Sequence, residues 1–197
     1  MGRRTKAEAE QTRHKLLDAA EQLFFEHGVS GTSLSDIAVA AGTTRGAIYW
    51  HFKDKADLFN AMMDRVTLPL EQAFSEASEQ TADGAMPLCN ICKAIMSALH
   101  AIVHDPQARR VFEIATHKIE HVGELRAVVD RHLPVMGGIL DATEVAMQAV
   151  QQQLGRPLPV PVPVAARGLH MMMDGLLKSW LIDPSSFDLE VVGQLSM

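Results

Sequence analysis

The sequence predicts an all-α fold. Apolar residues recur at the three- and four-residue spacing of a helix along most of the 197 residues, and no segment shows the alternating pattern of a strand. Glycine or proline often stands at the end of such a segment, where helices stop. A chain of this length can form one domain with a smaller one attached.

Three helices are expected in the first fifty residues. A long amphipathic helix covers residues 7–27, and two short helices that are joined at Gly42 follow it. Thr32 or Ser33 can cap the first short helix, because a hydroxyl oxygen can accept a hydrogen bond from the free N–H groups of a first turn. Thr44 can cap the second in the same way.

The long helices that are predicted next contain residues that disfavour helix. One begins at Asp54, and Pro69 should kink or end it, since a proline inside a helix loses one hydrogen bond and clashes with the preceding turn. Another covers residues 120–154, and a break is expected in it near Pro134 or Gly137–Gly138.

The remaining segments complete the helical pattern. Residues 88–99 carry one apolar stripe, and Asp105–Pro106 is typical of a helix start. The proline-rich stretch 156–163 is expected to be an extended connection. A strongly apolar helix should follow at 165–182, and Pro184 separates it from a short last helix.

Composition and charge narrow the class of protein. The net charge is −6, but residues 1–60 carry eight Lys/Arg and eight Asp/Glu, so the acidic excess lies entirely in the rest of the chain. The basic N-terminus, with Arg3, Arg4 and Lys6, is compatible with a local contact to nucleic acid. No apolar run approaches the roughly 20 residues that span a bilayer, and two cysteines are too few for a disulfide framework. We expect a soluble cytoplasmic protein with no membrane partner.

Residues 34–52 contain the pattern that a helix-turn-helix requires. Ala38 is small where the two short helices come closest, Gly42 permits a positive φ in the turn, and Ile48 fills the gap between the helices. The second short helix would then enter the major groove of DNA. As an alternative, the aromatic residues that end this segment could be ordinary core residues.

The second short helix carries side chains that can contact DNA. Arg45, Tyr49 and His51 can reach base edges or the phosphate backbone. Gly46 and Ala47 allow the helix to approach closely. Hydroxyl groups and backbone amides at helix starts, together with a lysine, are placed for phosphate contacts. The predicted DNA-binding residues are Thr32, Ser33, Thr44, Arg45, Gly46, Ala47, Tyr49, Trp50, His51 and Lys55.

The same segment resembles a known family. Residues 44–58, TRGAIYWHFKDKADL, are similar to the signature of TetR-family transcriptional repressors, and RGAIYWHF at 45–52 is similar to the AcrR-like branch that controls multidrug efflux pumps. The resemblance covers about residues 10–60, and residues 174–181 resemble the family's dimerisation helix more weakly. We therefore predict a regulator and not an enzyme, without a metal or another cofactor.

The resemblance also implies an organisation and a mechanism. The chain would have about nine helices, with a three-helix helix-turn-helix DNA-binding domain at 1–54 and a ligand-binding and dimerisation domain at 55–197. A homodimer would bind a pseudo-palindromic operator in double-stranded DNA and would be released by a small hydrophobic or aromatic effector. The regulated genes would form a multidrug efflux operon and thus affect antibiotic resistance.

An effector pocket is predicted in the C-terminal domain. Its apolar candidates include methionines, which adapt to different hydrophobic shapes. Asp174 stands in an apolar run and is expected to line a cavity or meet a partner, because a buried unpaired carboxylate costs free energy. A simple methionine-containing core is the alternative. The candidate ligand-binding residues are Val66, Leu70, Ile91, Ile95, Leu99, Phe112, Thr116, His117, Met136, His170, Met173, Asp174 and Leu177.

Dimerisation is assigned to the last two helices. They could pair with the same helices of a second copy in a four-helix bundle. The candidate contacts are Trp180, Leu181, Leu189, Val192 and Leu195.

Short motifs leave competing functions open. Cys89-Asn-Ile-Cys92 spells C-x-x-C, so a thiol-redox-sensing repressor is one alternative. The histidines of His117-Lys-Ile-Glu-His121, with Glu120 between them, have the order found in inverzincin proteases, so a zinc hydrolase is another. A DNA-binding activator or architectural protein without a ligand is the third.

Overall fold

The computed structural model describes residues 6–79, 87–119 and 126–197, and this part of the chain forms nine helices and no strand. The predicted all-α fold class is confirmed. No helix among the described residues is both long and apolar enough to cross a membrane. The helices are α1 (Lys6–His27), α2 (Leu34–Ala40), α3 (Arg45–His51), α4 (Lys55–Glu79), α5 (Pro87–His104), α6 (Pro106–His117), α7 (Arg126–Leu154), α8 (Val162–Ile182) and α9 (Leu189–Leu195).

The chain divides into two compact units. The first comprises Met1–Val66 and Arg110–Arg131, and the second comprises Thr67–Arg109 and His132–Met197. Helices α1, α2 and α3 therefore belong to the first unit, and α5, α8 and α9 belong to the second. The functional boundary between residues 54 and 55 stays a prediction.

The core of the first unit holds the two short helices in place. Leu16 and Phe24 of α1, Ile48 of α3 and Phe59 of α4 are fully buried. The ring centroids of Phe24 and Phe59 lie 6.0 Å apart. Helices as short as α2 and α3 are unstable in isolation, so their positions depend on this shared core.

In the second unit, α5 and α9 approach each other closely. A Cβ atom added to Gly193 of α9 would lie only 2.7 Å from Leu99 Cδ1 of α5, so a larger residue here would force the Leu99 side chain to move. In the same unit, Trp180 of α8 is 4% exposed, and the Arg109 guanidinium carbon lies 4.9 Å from the centroid of its ring. These contacts anchor the last two helices within the subunit.

Three predicted helix boundaries differ from the structure. Helix α4 does not end at Pro69, and α7 continues through Pro134 and Gly137–Gly138. Both prolines are exposed, so water can satisfy the carbonyl group that loses its partner while the flanking turns keep the helix. Helix α8 begins at Val162, three residues before the predicted start, because Pro163 stands in its first turn, where the missing N–H costs no hydrogen bond.

Candidate nucleic-acid interface

A reciprocal capping box fixes the start of α2. The Asp36 N–H donates to Ser33 Oγ at 3.2 Å, and the Ser33 N–H donates to Asp36 Oδ2 at 3.0 Å. The Ser33 hydroxyl also donates to the same carboxylate at 2.6 Å. The hydrogen bond from this hydroxyl, followed by that from the Ser33 backbone, lowers the pKa of Asp36. Of the two predicted caps, Ser33 is the one observed.

The turn between α2 and α3 has the geometry that the sequence predicted. Gly42 has φ +66°, a left-handed conformation that favours glycine. Thr44 Oγ1 accepts a hydrogen bond from the Ala47 N–H at 3.2 Å and so caps α3. Ala38 and Ile48 are buried between the helices. The helix-turn-helix is therefore present.

One face of α3 presents large side chains to solvent. Tyr49 is 48% exposed and Trp50 is 73% exposed. Arg45 lies beside Tyr49, with its guanidinium carbon 5.8 Å from the centroid of the Tyr49 ring. Phe52, in contrast, is buried in the core. The alternative that the aromatic residues are core residues therefore holds for Phe52 and not for Tyr49 or Trp50.

A groove lies beside the exposed face of α3. Arg45, Lys53 and Lys55 contribute three cations to its lining. The acidic residue of the groove, Asp54, uses Oδ1 to accept a hydrogen bond from the Asp57 N–H at 2.8 Å in the first turn of α4. Cations beside exposed aromatic rings suit the phosphate and base surfaces of DNA. The lining residues are Ser33, Leu34, Ser35, Arg45, Tyr49, Lys53, Asp54, Lys55 and Ala56.

Two predicted phosphate contacts have internal hydrogen bonds. Lys55 Nζ donates to the carbonyl oxygens of Val29 at 3.0 Å and Thr32 at 3.1 Å. Thr32 is buried, and its hydroxyl donates to the Gly28 carbonyl at 2.9 Å. Both residues hold the loop between α1 and α2. A contact from the Thr32 hydroxyl to a phosphate is therefore not supported.

The sequence-based set omitted five lining residues of the groove, and two of these, Ser35 and Lys53, can donate hydrogen bonds to a phosphate. Ser35 lies in the first turn of α2, and Lys53 follows the end of α3. Both lie within two residues of a predicted DNA-binding residue, Ser33 or His51, and this proximity in the sequence could have identified them. Arg3 and Arg4 of the basic N-terminus lie outside the described residues.

Comparisons with known proteins agree with this geometry. Residues 16–62 match the family model "Bacterial regulatory proteins, tetR family". Residues 86–194, more than half of the chain, match "MAATS-type transcriptional repressor, C-terminal region". The chain belongs to the TetR family.

TetR-family relatives match over nearly the whole chain. The transcriptional repressor BepR of Brucella suis biovar 1 (strain 1330) is 38% identical over 192 residues, which are 97% of this chain and 90% of BepR. The transcriptional regulator AcrR of Shigella flexneri is 36% identical over 190 residues, which are 96% of this chain and 87% of AcrR. The chain is thus a transcriptional regulator and not an enzyme.

Solved structures of similar TetR-family proteins share the fold. NalD, the secondary repressor of the MexAB-OprM multidrug efflux pump in Pseudomonas aeruginosa, has a TM-score of 0.85 and 35% identity, covering 95% of this chain and 93% of NalD. SmeT is the repressor of the Stenotrophomonas maltophilia multidrug efflux pump SmeDEF. Its complex with triclosan has a TM-score of 0.80 and 32% identity, covering 94% of this chain and 88% of SmeT.

The predicted ligand-binding residues fall into both units of this TetR-family chain. Val66, Phe112, Thr116 and His117 belong to the first unit, and His117 is exposed. The second unit contains the rest, among which Leu99 contacts α9. Those in the second unit are Leu70, Ile91, Ile95, Leu99, Met136, His170, Met173, Asp174 and Leu177.

Asp174 pairs with a lysine of its own helix. Its carboxylate forms an ion pair with Lys178 Nζ at 2.8 Å, one turn further along α8. Its side chain is about one-third exposed. Within the subunit the charge is therefore paired and partly hydrated, and the role of Asp174 in lining a cavity or meeting a partner stays a prediction.

Three of the five predicted dimer contacts lie inside the subunit. Trp180, Leu181 and Leu189 are buried in the described part of the chain, where they form part of its own core. Val192 is half-buried, and Leu195 is strongly exposed. Leu195 is therefore the most accessible of the five to a second copy.

The alternative functions receive little support from the site geometry. Cys89 and Cys92 are both half-buried free thiols of α5. Burial raises the pKa of Cys92, and the neighbouring Cys89 adds to the effect, so the reactive thiolate is disfavoured at neutral pH. Of the zinc-protease motif, Glu120 and His121 lie outside the described residues.

Proposed function

We propose that this TetR-family regulator is a homodimeric repressor that binds a pseudo-palindromic operator through α3 and is released by a small hydrophobic or aromatic effector. As a DNA-binding regulator it would act in the cytoplasm. The genes it controls would form a multidrug efflux operon. NalD and SmeT are both described as repressors of such pumps, and this supports the same role here.

The observation that carries the DNA-binding part is the exposed face of α3. A protein rarely leaves two large aromatic side chains such as Tyr49 and Trp50 in water without a partner for them, and Tyr49 lies next to the guanidinium of Arg45. Side chains of this kind can hydrogen-bond to base edges and contact the sugar-phosphate backbone. The helices that present them are capped by Ser33 and Thr44 of the protein itself.

The dimer is supported by the outer faces of α8 and α9. Val164, Met171 and Ile182 are exposed along α8, and Val191 and Leu195 are exposed on α9. Glycines 168 and 175 of α8 are also exposed, and small residues let another helix approach closely. An apolar face with small residues suits a second copy of the same helices in a two-fold arrangement.

The proposal of a small hydrophobic or aromatic effector rests on a similar protein, SmeT. SmeT has been solved with triclosan, which is a small aromatic compound, and we propose that this chain accepts ligands of the same chemical class. The second unit supplies buried and half-buried apolar side chains, including Ile91, Met136 and Met173. Apolar lining with a few polar groups is typical of sites for such ligands.

The test begins with a footprint on DNA that flanks the gene of this protein. On the protected fragment, Arg45→Ala and Tyr49→Ala should each weaken operator binding by about 1–3 kcal/mol and relax specificity. Lys53→Ala should weaken binding to all sequences alike and flatten its salt dependence, because Lys53 would neutralise a phosphate. Triclosan should release the fragment from the parent protein.

The matched control is Arg156→Ala. Arg156 is also an exposed arginine, but it lies in the second unit, between α7 and α8. This variant should bind the operator like the parent. If the Arg45 and Tyr49 variants also bind like the parent, α3 is not the reading helix.

A further inference from the structure

Two histidines and a glutamate form a cluster on the second unit. His100 and His104 lie one turn apart on α5, and Glu190 lies in the first turn of α9. His100 Nδ1 is 2.7 Å from Glu190 Oε1, and His104 Nε2 is 3.0 Å from Glu190 Oε2. The two imidazole centroids are 4.2 Å apart. Each oxygen of the carboxylate thus meets a different ring.

The donor atoms have the types and spacing of a transition-metal site. One ligand atom from each of the three residues can be chosen so that all lie within 4.8 Å of one another. Zn²⁺ binds histidine nitrogen and carboxylate oxygen at about 2.0–2.2 Å, so donors around one tetrahedral ion lie roughly 3.4 Å apart. Small side-chain movements would therefore bring all three onto one ion. Among the described residues, no other three such side chains meet this criterion.

The backbone beneath the cluster is held firmly. Leu99, the neighbour of His100, touches Gly193 so closely that a Cβ at residue 193 would lie 2.7 Å from Leu99 Cδ1. Asp188 Oδ1 accepts a hydrogen bond from the Val191 N–H at 2.9 Å and caps α9, which fixes the turn that carries Glu190. A site whose ligands come from fixed helices loses little entropy when it binds an ion.

The exposure of the cluster also suits a metal. Both histidine side chains are more than half exposed, and an ion can reach them from solvent. Three protein ligands would leave a fourth position for water, the arrangement of an open zinc site.

We propose that His100, His104 and Glu190 bind one divalent transition-metal ion of the Zn²⁺ type, which clips α9 to α5. Two histidines four residues apart on a helix can share one ion, and the glutamate supplies the ligand from the second helix. The site uses neither Cys89 and Cys92 nor the motif at residues 117–121.

The experiment is a Zn²⁺ titration of the full-length, metal-free protein against a competing chelating dye. The parent should bind one ion per chain at this site. His100→Gln, His104→Gln and Glu190→Gln should each weaken binding at least about 10-fold, because even the loss of a group that only orients a ligand costs 10–100-fold. All three side chains are at least partly exposed, so these variants should fold, and circular dichroism checks this.

Two controls separate this site from other places that could hold zinc. His14 is exposed to a similar degree and pairs with Glu10 at 3.5 Å on α1, so His14→Gln tests an ordinary surface histidine. Cys89→Ser with Cys92→Ser tests the thiols. Both controls should bind zinc like the parent. Co²⁺ should give the intense visible bands of a four-coordinate site without a thiolate charge-transfer band.

Zinc should also raise the thermal midpoint of the parent by several degrees at saturating concentration, because it binds only the folded chain. The rise should be absent in the Glu190→Gln variant. The proposal is overturned if the parent binds no zinc at micromolar concentration. It is equally overturned if the three ligand variants keep the parent's affinity, which would leave the cluster as a hydrogen-bonded ion pair only. Neither result bears on operator binding, which is measured separately.

Discussion

The exposed faces of α3 and of α8 and α9 both present large apolar side chains to water, but their surroundings differ. Tyr49 of α3 lines a groove that Arg45 and Lys53 make cationic, and Trp50 follows it on the same helix. Met171 and Ile182 of α8 lie on a face whose other exposed positions include glycines. Exposure alone therefore does not identify a partner. Charged neighbours indicate a polyanion, and small, apolar neighbours indicate another protein surface.

Each of these helices also has an inner side that differs from its outer one. Ile48 of α3 is fully buried while Trp50 is 73% exposed, and Trp180 of α8 is 4% exposed while Ile182 is 73% exposed. Of two residues only two positions apart on one helix, one is thus part of the core and the other is exposed and accessible to a proposed partner. Changes at such pairs can separate stability from association.

The largest effect is expected from charging the outer face of α8. Ile182→Glu or Met171→Glu should dissociate the proposed dimer, because a carboxylate would be buried in an apolar interface. Operator affinity should fall about 10²–10⁴-fold, since each half-site would be bound without the help of the other. Sedimentation velocity measures the dissociation, and gel shift measures the affinity.

Leu154→Glu is the control for these changes. Leu154 is an apolar residue at the end of α7 and is 55% exposed, comparable to Met171. The variant should remain dimeric. Dimers that persist in both α8 variants would show that α8 does not carry the interface.

The two tryptophans of the chain sharpen the comparison further. Trp180→Ala should lower the free energy of unfolding by about 3–5 kcal/mol, because it empties a buried site and removes the ring beneath Arg109. Trp50→Ala should change it by about 0.5 kcal/mol or less, since its side chain lies in water. Urea unfolding at one fixed protein concentration measures both.

For operator binding, in contrast to stability, the effect is expected at Trp50. Trp50→Ala should weaken DNA binding if α3 reads the operator, although it leaves stability unchanged. If the Trp180 variant is as stable as the parent, this residue is not part of the subunit's core. Trp180 would then again be a candidate dimer contact.

Local chemistry made the first unit predictable from the sequence. The caps Ser33 and Thr44, the turn at Gly42 and the buried Ile48 all depend on residues close together in the chain. Spacing alone therefore located the helix-turn-helix. The structural roles of Thr32 and Lys55 were less predictable, because their hydrogen bonds to backbone carbonyls depend on how the loop before α2 folds back on α4.

The second unit was less predictable because its helices are apolar on more than one side. Periodicity marks Trp180 and Ile182 equally as apolar and does not tell which of them faces the subunit's own core. The cluster of His100, His104 and Glu190 joins residues 86 and 90 positions apart. Only the close crossing of α5 and α9 brings them together, and no local pattern encodes that crossing.

A small loss of stability is expected at the cap of α2. Ser33→Ala should lower the free energy of unfolding by about 1 kcal/mol, the usual cost of losing an N-cap hydroxyl. It also removes the hydrogen bond that contributes most to the lowered pKa of Asp36, so that pKa should rise toward its ordinary value. A carbon-detected NMR titration of the Asp36 carboxyl measures this rise, and Ser35→Ala, which leaves the capping box intact, should not produce it.

The pH dependence of this change has a definite sign. Because folding lowers the pKa of Asp36, the stabilisation by its carboxylate is fully present above the unfolded value near 3.8 and is lost as pH falls through the lower, folded value. The stability difference between the parent and Ser33→Ala should therefore be constant near neutral pH and should shrink below about pH 4. A difference that grows on acidification would mean that Ser33 does not stabilise the charged form of Asp36.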